Sequence, residues 1–183
     1  RAHEIFPQSR IHLVTNGLLL RQMPADFWQF CRISRTVIDL TVYPPILPIL
    51  DEIRGLCGRE RVGLRESPNN AFCVRMDLEG CSAPKSAFSN CRNLFYCPVL
   101  KEGRLHVCAT SAYVGYFNSR YGANLPQDEG VNLGDPGLSG RRVLRELNKS
   151  VALCRFCSLK THTAPWSNSS PEKLDWDIRS AQK

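Results

Sequence analysis

The first half of the chain alternates short apolar runs, rich in β-branched residues, with stretches of helical period. Residues 11–15, Ile-His-Leu-Val-Thr, read as a buried strand that Asn16 and Gly17 close in a turn. A helix is expected over residues 24–33, with Pro24 suited to its first turn and Phe27, Trp28, Phe30 and Cys31 supplying the apolar face. Residues 37–43 form the next strand, which Pro44 and Pro45 stop. A second helix follows over 46–56, with Gly58 marking its end, and a third strand over 71–78. Strand, helix, strand, helix, strand in so short a compass predicts helical crossovers between parallel strands. Three such strands leave an unpaired apolar edge, so further strands are expected in sequence before Arg1.

Near Gly80 the alternation breaks, and the chain becomes punctuated by cysteine, glycine and proline. A domain boundary is placed there. Residues 97–108 have the pattern of a hairpin turning around Lys101, Glu102 and Gly103, and residues 109–121 contain a short helix. Residues 127–140, rich in Gly and Asp, read as a loop, and 141–149 have helical spacing through Val143, Leu144 and Leu147. The tail after Trp166 is polar, with little to hold it in order. The domains are therefore expected at 1–80, 81–166 and 167–183, the last being the tail.

Composition narrows the class. The 43% hydrophobic and 22% charged fractions are those of an ordinary globular chain, and no apolar run approaches the roughly 20 residues of a membrane span. A cytoplasmic protein with no membrane partner is expected. The chain opens on Arg1, Ala2, His3 and Glu4 with no signal-peptide pattern, and the first periodic segment begins almost at once, as in a chain cut from something longer. The net charge is +7, but Lys and Arg are scattered, without the dense cluster of a nucleic-acid footprint.

Nine cysteines change the picture. In a reducing compartment, clustered cysteines hold metal more often than disulfides. Cys91 and Cys97 are separated by five residues, Cys108 follows the hairpin, and Cys154 and Cys157 form a CxxC pair in LCRFCS. A CxxC turn directs two sulfurs to one centre, and a hairpin brings others from distant sequence. A small region with little apolar sequence gains folding free energy from such bonds, on the order of 10 kcal/mol for a tight structural site. Spacing alone leaves zinc and an iron-sulfur cluster both open, so a zinc-binding interaction module stands as the alternative function. A disulfide-stapled secreted domain has least in its favour. Cys31, Cys57 and Cys73 occupy apolar positions and read as buried thiols, Cys81 is ambiguous, and His106 and His162 lack ligand spacing.

The run Cys91, Cys97, then KEGRLHVC with Gly103, four residues and Cys108, and later the CxxC of Cys154 and Cys157, resembles the auxiliary-cluster region of radical SAM enzymes, called SPASM at full length and twitch when shortened. IHLVTNGLLL and VIDLTVYPP resemble neighbouring strands of the radical SAM partial barrel, and together the matches reach to about Trp166. The resemblance implies an α/β fold: the C-terminal part of a partial (β/α) barrel with parallel strands, followed by a small cysteine-rich α+β cluster-binding lobe. It implies one auxiliary [4Fe-4S] cluster on four of the five thiols. The shortened pattern favours Cys91, Cys108, Cys154 and Cys157; the longer one recruits Cys97 and spares one CxxC member. Thr15, Asn16 and Gly17, with Thr41 on the neighbouring strand, would lie near S-adenosyl-L-methionine, although a plain strand-ending turn explains the first three equally well.

The family's CxxxCxxC loop, which holds the SAM-cleaving cluster, is absent from this sequence. By resemblance it belongs to about 80–120 residues encoded before Arg1, at roughly 30 residues per strand-helix unit. This chain alone is expected to be inactive. The complete enzyme would draw electrons from a donor such as a flavodoxin or ferredoxin and act on a peptide, protein, sugar or small-molecule substrate.

Overall fold

The structure, a computed structural model, describes residues 2–95, 97–167 and 169–182. The chain divides into two compact units. One runs to Phe72 and takes in a short return from Ala164; the other runs from Cys73 to Thr163 and resumes at Ser169.

In the first unit a one-turn helix α1 (Ala2–Ile5) precedes β1 (His12–Thr15), α2 (Ala25–Ile33), β2 (Val37–Val42), α3 (Leu50–Arg59) and β3 (Gly63–Pro68). The strands lie in the order β1-β2-β3 and both pairings are parallel, with His12 opposite Val37 and Val37 opposite Gly63. The architecture is thus mixed α/β around an open parallel sheet of three strands, not closed into a barrel. Ile38, Leu40 and Val42 of β2 pack with Trp28 and Cys31 of α2 and with Ile53 and Cys57 of α3. Cys31 and Cys57 are buried thiols, as their apolar positions predict.

The third parallel strand is β3, not the expected run at 71–78. That expectation followed the rule that parallel strands read as continuous apolar runs, which holds when both faces are covered. Here the core occupies one face, so β3 alternates: Leu64 packs on the core, while Gly63, Arg65 and Ser67 point the other way. Arg54 of α3 ties the strand down with a two-pronged bond to Glu66, 2.7 Å on each arm.

Helix ends differ from expectation in a related way. Pro48 lacks an N–H, so Pro44–Ile49 is a 3₁₀ helix and the α-helix proper starts at Leu50. Gly58 lies inside α3. The left-handed positions that close α2 and α3 are taken by Arg35 and Arg61, with φ of 52° and 53°. The N–H groups of Thr36 and Val62 then reach back to the carbonyls of Cys31 and Cys57, at 2.9 and 3.0 Å. This is the six-residue closure in which glycine is the usual occupant of the left-handed site.

The second unit opens with most of β4 (Ala71–Met76) and continues through α4 (Pro84–Phe95), the hairpin β5 (Val99–Lys101) and β6 (Arg104–His106), α5 (Ala109–Tyr121), β7 (Val131–Asn132), α6 (Gly140–Leu147) and β8 (Cys157–Pro165). The segment expected as the third barrel strand, β4, pairs instead with β8. Glu102 and Gly103, with φ of 51° and 74°, form the hairpin turn, both central residues being left-handed. The expected loop at 127–140 contains β7, which adds to the hairpin by pairing antiparallel with β6. Val114, Leu125 and Leu153 form the unit's core, with Met76, Leu78, Phe117 and Phe156 packed against it.

The C-terminal segment is better anchored than its polar composition suggests. It forms short 3₁₀ helices at Lys173–Trp176 and Ile178–Gln182. Trp176 meets the Phe117 ring edge-on and donates to the Tyr121 hydroxyl at 3.1 Å. Arg179 bridges Asp77, Glu79 and the buried Asp177.

Replacing Arg61 with glycine removes a left-handed non-glycine residue without deleting a core contact. Chemical denaturation should therefore show Arg61→Gly more stable than the parent chain by about 0.5–1 kcal/mol. A loss of stability would contradict the helix closure described for α3.

Candidate functional site

Three segments of the second unit carry the cysteines singled out in the sequence. Cys154 lies in the 3₁₀ helix Ala152–Phe156 and Cys157 opens β8. Leu153 and Phe156 alternate with them and belong to the core, so the CxxC turn is held from inside. The chain at 77–82 is stitched onto that turn: Asp77 N–H donates to the Phe156 carbonyl at 2.9 Å, Ser82 N–H to the Arg155 carbonyl at 3.0 Å, and Arg155 Nε returns a bond to the Gly80 carbonyl at 3.1 Å. Gly80 has φ of 70°, and its Cα lies against the Phe156 ring, where any Cβ would collide. The stitched segment leads directly into α4, which packs on the same 3₁₀ helix and carries Cys91.

Cys108 comes from the other side of the hairpin. It is the N-cap of α5, and its Sγ accepts from Ser111 N–H at 3.4 Å. Lys101 Nζ of β5 donates to the Ala112 carbonyl at 3.1 Å, which fixes the first turn of α5 relative to the hairpin.

These four thiols share one electrostatic neighbourhood. Burial pushes the Cys157 thiol up to about 12; Cys108, Cys154 and Cys91 push it the same way, and the Arg75 guanidinium pulls it back. Burial likewise raises the Cys154 thiol, with Cys108, Cys91 and Asp128 adding to the rise. Arg75 Nη1 donates to Cys91 Sγ at 3.8 Å. Cys91 and Cys108 are thus among the groups acting on the CxxC pair, while Cys97 is exposed and is not among them. Among the described residues no three His, Cys, Asp or Glu side chains stand close enough to hold a single metal ion.

The remaining cysteines lie elsewhere. Cys73 is exposed rather than buried, because β4 turns that position to solvent while Val74 faces inward. Cys81 is also exposed, and the Asp77 carboxylate beside it disfavours its thiolate. His106 is buried, with Nδ1 3.8 Å from Asp128 Oδ2.

In the first unit, Thr15, Asn16 and Gly17 form the turn after β1. Thr15 Oγ1 accepts from Gly17 N–H at 3.1 Å and Asn16 Oδ1 from Leu18 N–H at 3.2 Å. Gly17 has φ of 78°, and a Cβ there would run into Leu40. Thr41 lies on β2, opposite Ser67 of β3.

The sheet also carries a hydrogen-bonded polar trio that the sequence reading missed. By register, His12, Asp39, Thr41 and Arg65 share the face away from the core. Asp39 Oδ2 accepts from Arg65 Nη2 at 2.6 Å and lies 3.0 Å from His12 Nδ1, and Asp39 is only 6% exposed. The available signal was an aspartate at an alternate position of the otherwise apolar VIDLTV.

The raised Cys157 thiol has a thermodynamic consequence in the metal-free protein. An unfolded thiol ionises near 9, so this contribution is full below that pH and is lost as pH climbs toward about 12. Thermal unfolding of metal-free chain between pH 8 and 11 should show the midpoint falling more steeply for the parent than for Cys157→Ala; parallel curves would contradict the burial. No family model matches the chain, and no curated protein or solved structure is significantly similar to it.

Proposed function

We propose that the chain is part of a radical SAM enzyme and that Cys91, Cys108, Cys154 and Cys157 hold its auxiliary [4Fe-4S] cluster. What supports this reading is that Cys91 of α4 and Cys108 at the N-cap of α5 act on the thiols of the CxxC pair, which burial raises. Burial makes the Cys154 and Cys157 thiols costly to ionise, and a cationic centre would reverse that cost.

The donor set fits such a group. Ser111 N–H on Cys108 and the Arg75 guanidinium on Cys91 are donors of the kind that stabilise sulfur-centred negative charge. Around one zinc ion, with bonds of 2.3 Å, tetrahedral thiolates lie about 3.8 Å apart. A cubane gives each thiolate its own iron and accepts wider spacing.

When bound, the cluster would supply one-electron chemistry or structural cross-linking; all-thiolate ligation leaves no open iron for substrate. The chain's own residues hold the ligands: Leu153 and Phe156 seat the CxxC turn, Ser111 orients Cys108, and the 77–82 segment positions α4. On this reading the parallel sheet is the C-terminal part of a partial barrel whose strand ends at Thr15, Asn16, Gly17 and Thr41 face S-adenosyl-L-methionine. Reducing equivalents would come from a flavodoxin or ferredoxin.

Anaerobic reconstitution should load about four irons and matching sulfide per chain, with a broad absorbance near about 400 nm that d¹⁰ zinc cannot give. Cys108→Ser should lose the cluster and loosen the second unit, whereas Cys97→Ser should keep full iron and sulfide. Retention by Cys108→Ser, or uptake of zinc alone, would refute the assignment. Because loading must strip protons from raised thiols, uptake should strengthen from pH 7 to 9 and release protons measurable in weakly buffered solution.

A further inference from the structure

We propose that a cavity lined by Arg32, Arg35 and Arg61 binds a phosphoryl group, as free phosphate or as a small phosphate monoester. The site is built wholly from the first unit and holds whether or not the thiols of the second unit take up a cluster.

Arg35 follows α2 and Arg61 follows α3 at the same structural position, each left-handed and each succeeded by the residue whose N–H closes the helix. Both line one cavity of about 260 Å³, with Arg32, Val37 and Gly63 also in its wall. Val37 and Gly63 begin β2 and β3, so the cavity lies at the start of the strands, away from the turn at Thr15. Arg32 ties the two helix closures to each other: its Nη1 is 2.6 Å from Glu60 Oε2 and 3.2 Å from the Glu60 carbonyl. The carboxylate next to Arg61 in sequence is thereby taken. Arg35 and Arg61 are exposed, and among the described residues their guanidinium groups have no hydrogen-bond or ion-pair partner.

Neither arginine is required by the helix it follows. Left-handed backbone strains a residue that carries a Cβ, and glycine would close both helices at lower cost. Arg32 and Arg59, in the last turns, already meet the negative ends of the two helices. Like charges around one cavity repel one another until an anion enters between them. A carboxylate offers two oxygens and is satisfied by a single guanidinium fork. A phosphoryl group carries about two negative charges on three oxygens, which suits forks arriving from more than one side.

The test is isothermal calorimetry and thermal unfolding of the full chain with phenyl phosphate, inorganic phosphate and acetate at one ionic strength, which holds screening constant. Both phosphates should bind and raise the unfolding midpoint, and acetate should do neither. Tighter binding of phenyl phosphate assigns the site to a monoester; equal or tighter binding of inorganic phosphate assigns it to the free ion. Arg35→Gly and Arg61→Gly should each weaken phosphate binding by about tenfold or more, as loss of a charge-assisted bond requires, while the ligand-free protein remains folded. Arg61→Gln, which keeps a side chain and removes the charge, should weaken binding as far and decides the matter if the glycine variants unfold. Arg61→Lys should retain part of the affinity, and Arg145→Gln on exposed α6 should retain all of it. Phosphate binding that survives Arg61→Gln, acetate binding equal to phosphate binding, or a parent chain that binds neither phosphate overturns the site.

Discussion

Burial of sulfur is the constraint on which the second unit depends. The CxxC turn places the Cys154 and Cys157 thiols where burial disfavours their charge, and the Cys157 thiol is held up to about 12 as a result. The surrounding structure is organised to keep them there. Core residues Leu153 and Phe156 seat the CxxC turn, backbone bonds fasten 77–82 to it, and the left-handed Gly80 lets the two segments approach. The hairpin and the N-cap of α5 deliver the remaining sulfur.

The first unit follows a different logic. Its core lies on one side of the parallel sheet, where Ile38, Leu40, Ile53 and Cys57 are almost wholly buried. The opposite side carries the Asp39 carboxylate, tied to His12 and Arg65 on the flanking strands. A buried carboxylate costs several kcal/mol unless it is paired. Here the pairs run across three parallel strands, so they also specify which strands are neighbours. That is a structural role the trio fulfils whatever else the face does.

Much of this was legible in the chain because local chemistry was strong. Glu102-Gly103 between apolar runs marked the hairpin, Pro44-Pro45 ended β2, and Cys31 and Cys57 fell on apolar positions that the core uses. The strands β1 and β2 read correctly as strands, although β1, expected to be buried, is largely exposed, and β3 was not recognised, since half of its residues face away from the core. The end of α2 fell where expected, but that of α3 was misplaced because Arg61, not Gly58, occupies the left-handed site, a choice no propensity would suggest. The C-terminal segment was misjudged for want of tertiary information: its Trp176 and Arg179 find partners in α5 and the 77–79 turn. At the candidate site, spacing brought five cysteines into view, while the exposure of Cys97 depends on where the chain around it packs.

The central claim is that four particular cysteines meet at one centre. Differential alkylation of the chain before and after anaerobic reconstitution, read cysteine by cysteine by mass spectrometry, tests it most directly. Cys31 and Cys57 should resist alkylation in both states, and the exposed Cys73, Cys81 and Cys97 should react in both. Cys91, Cys108, Cys154 and Cys157 should react in the metal-free chain given time and become protected on loading. Protection of Cys97 in place of any of these four, or loading that leaves all of them reactive, would contradict the account.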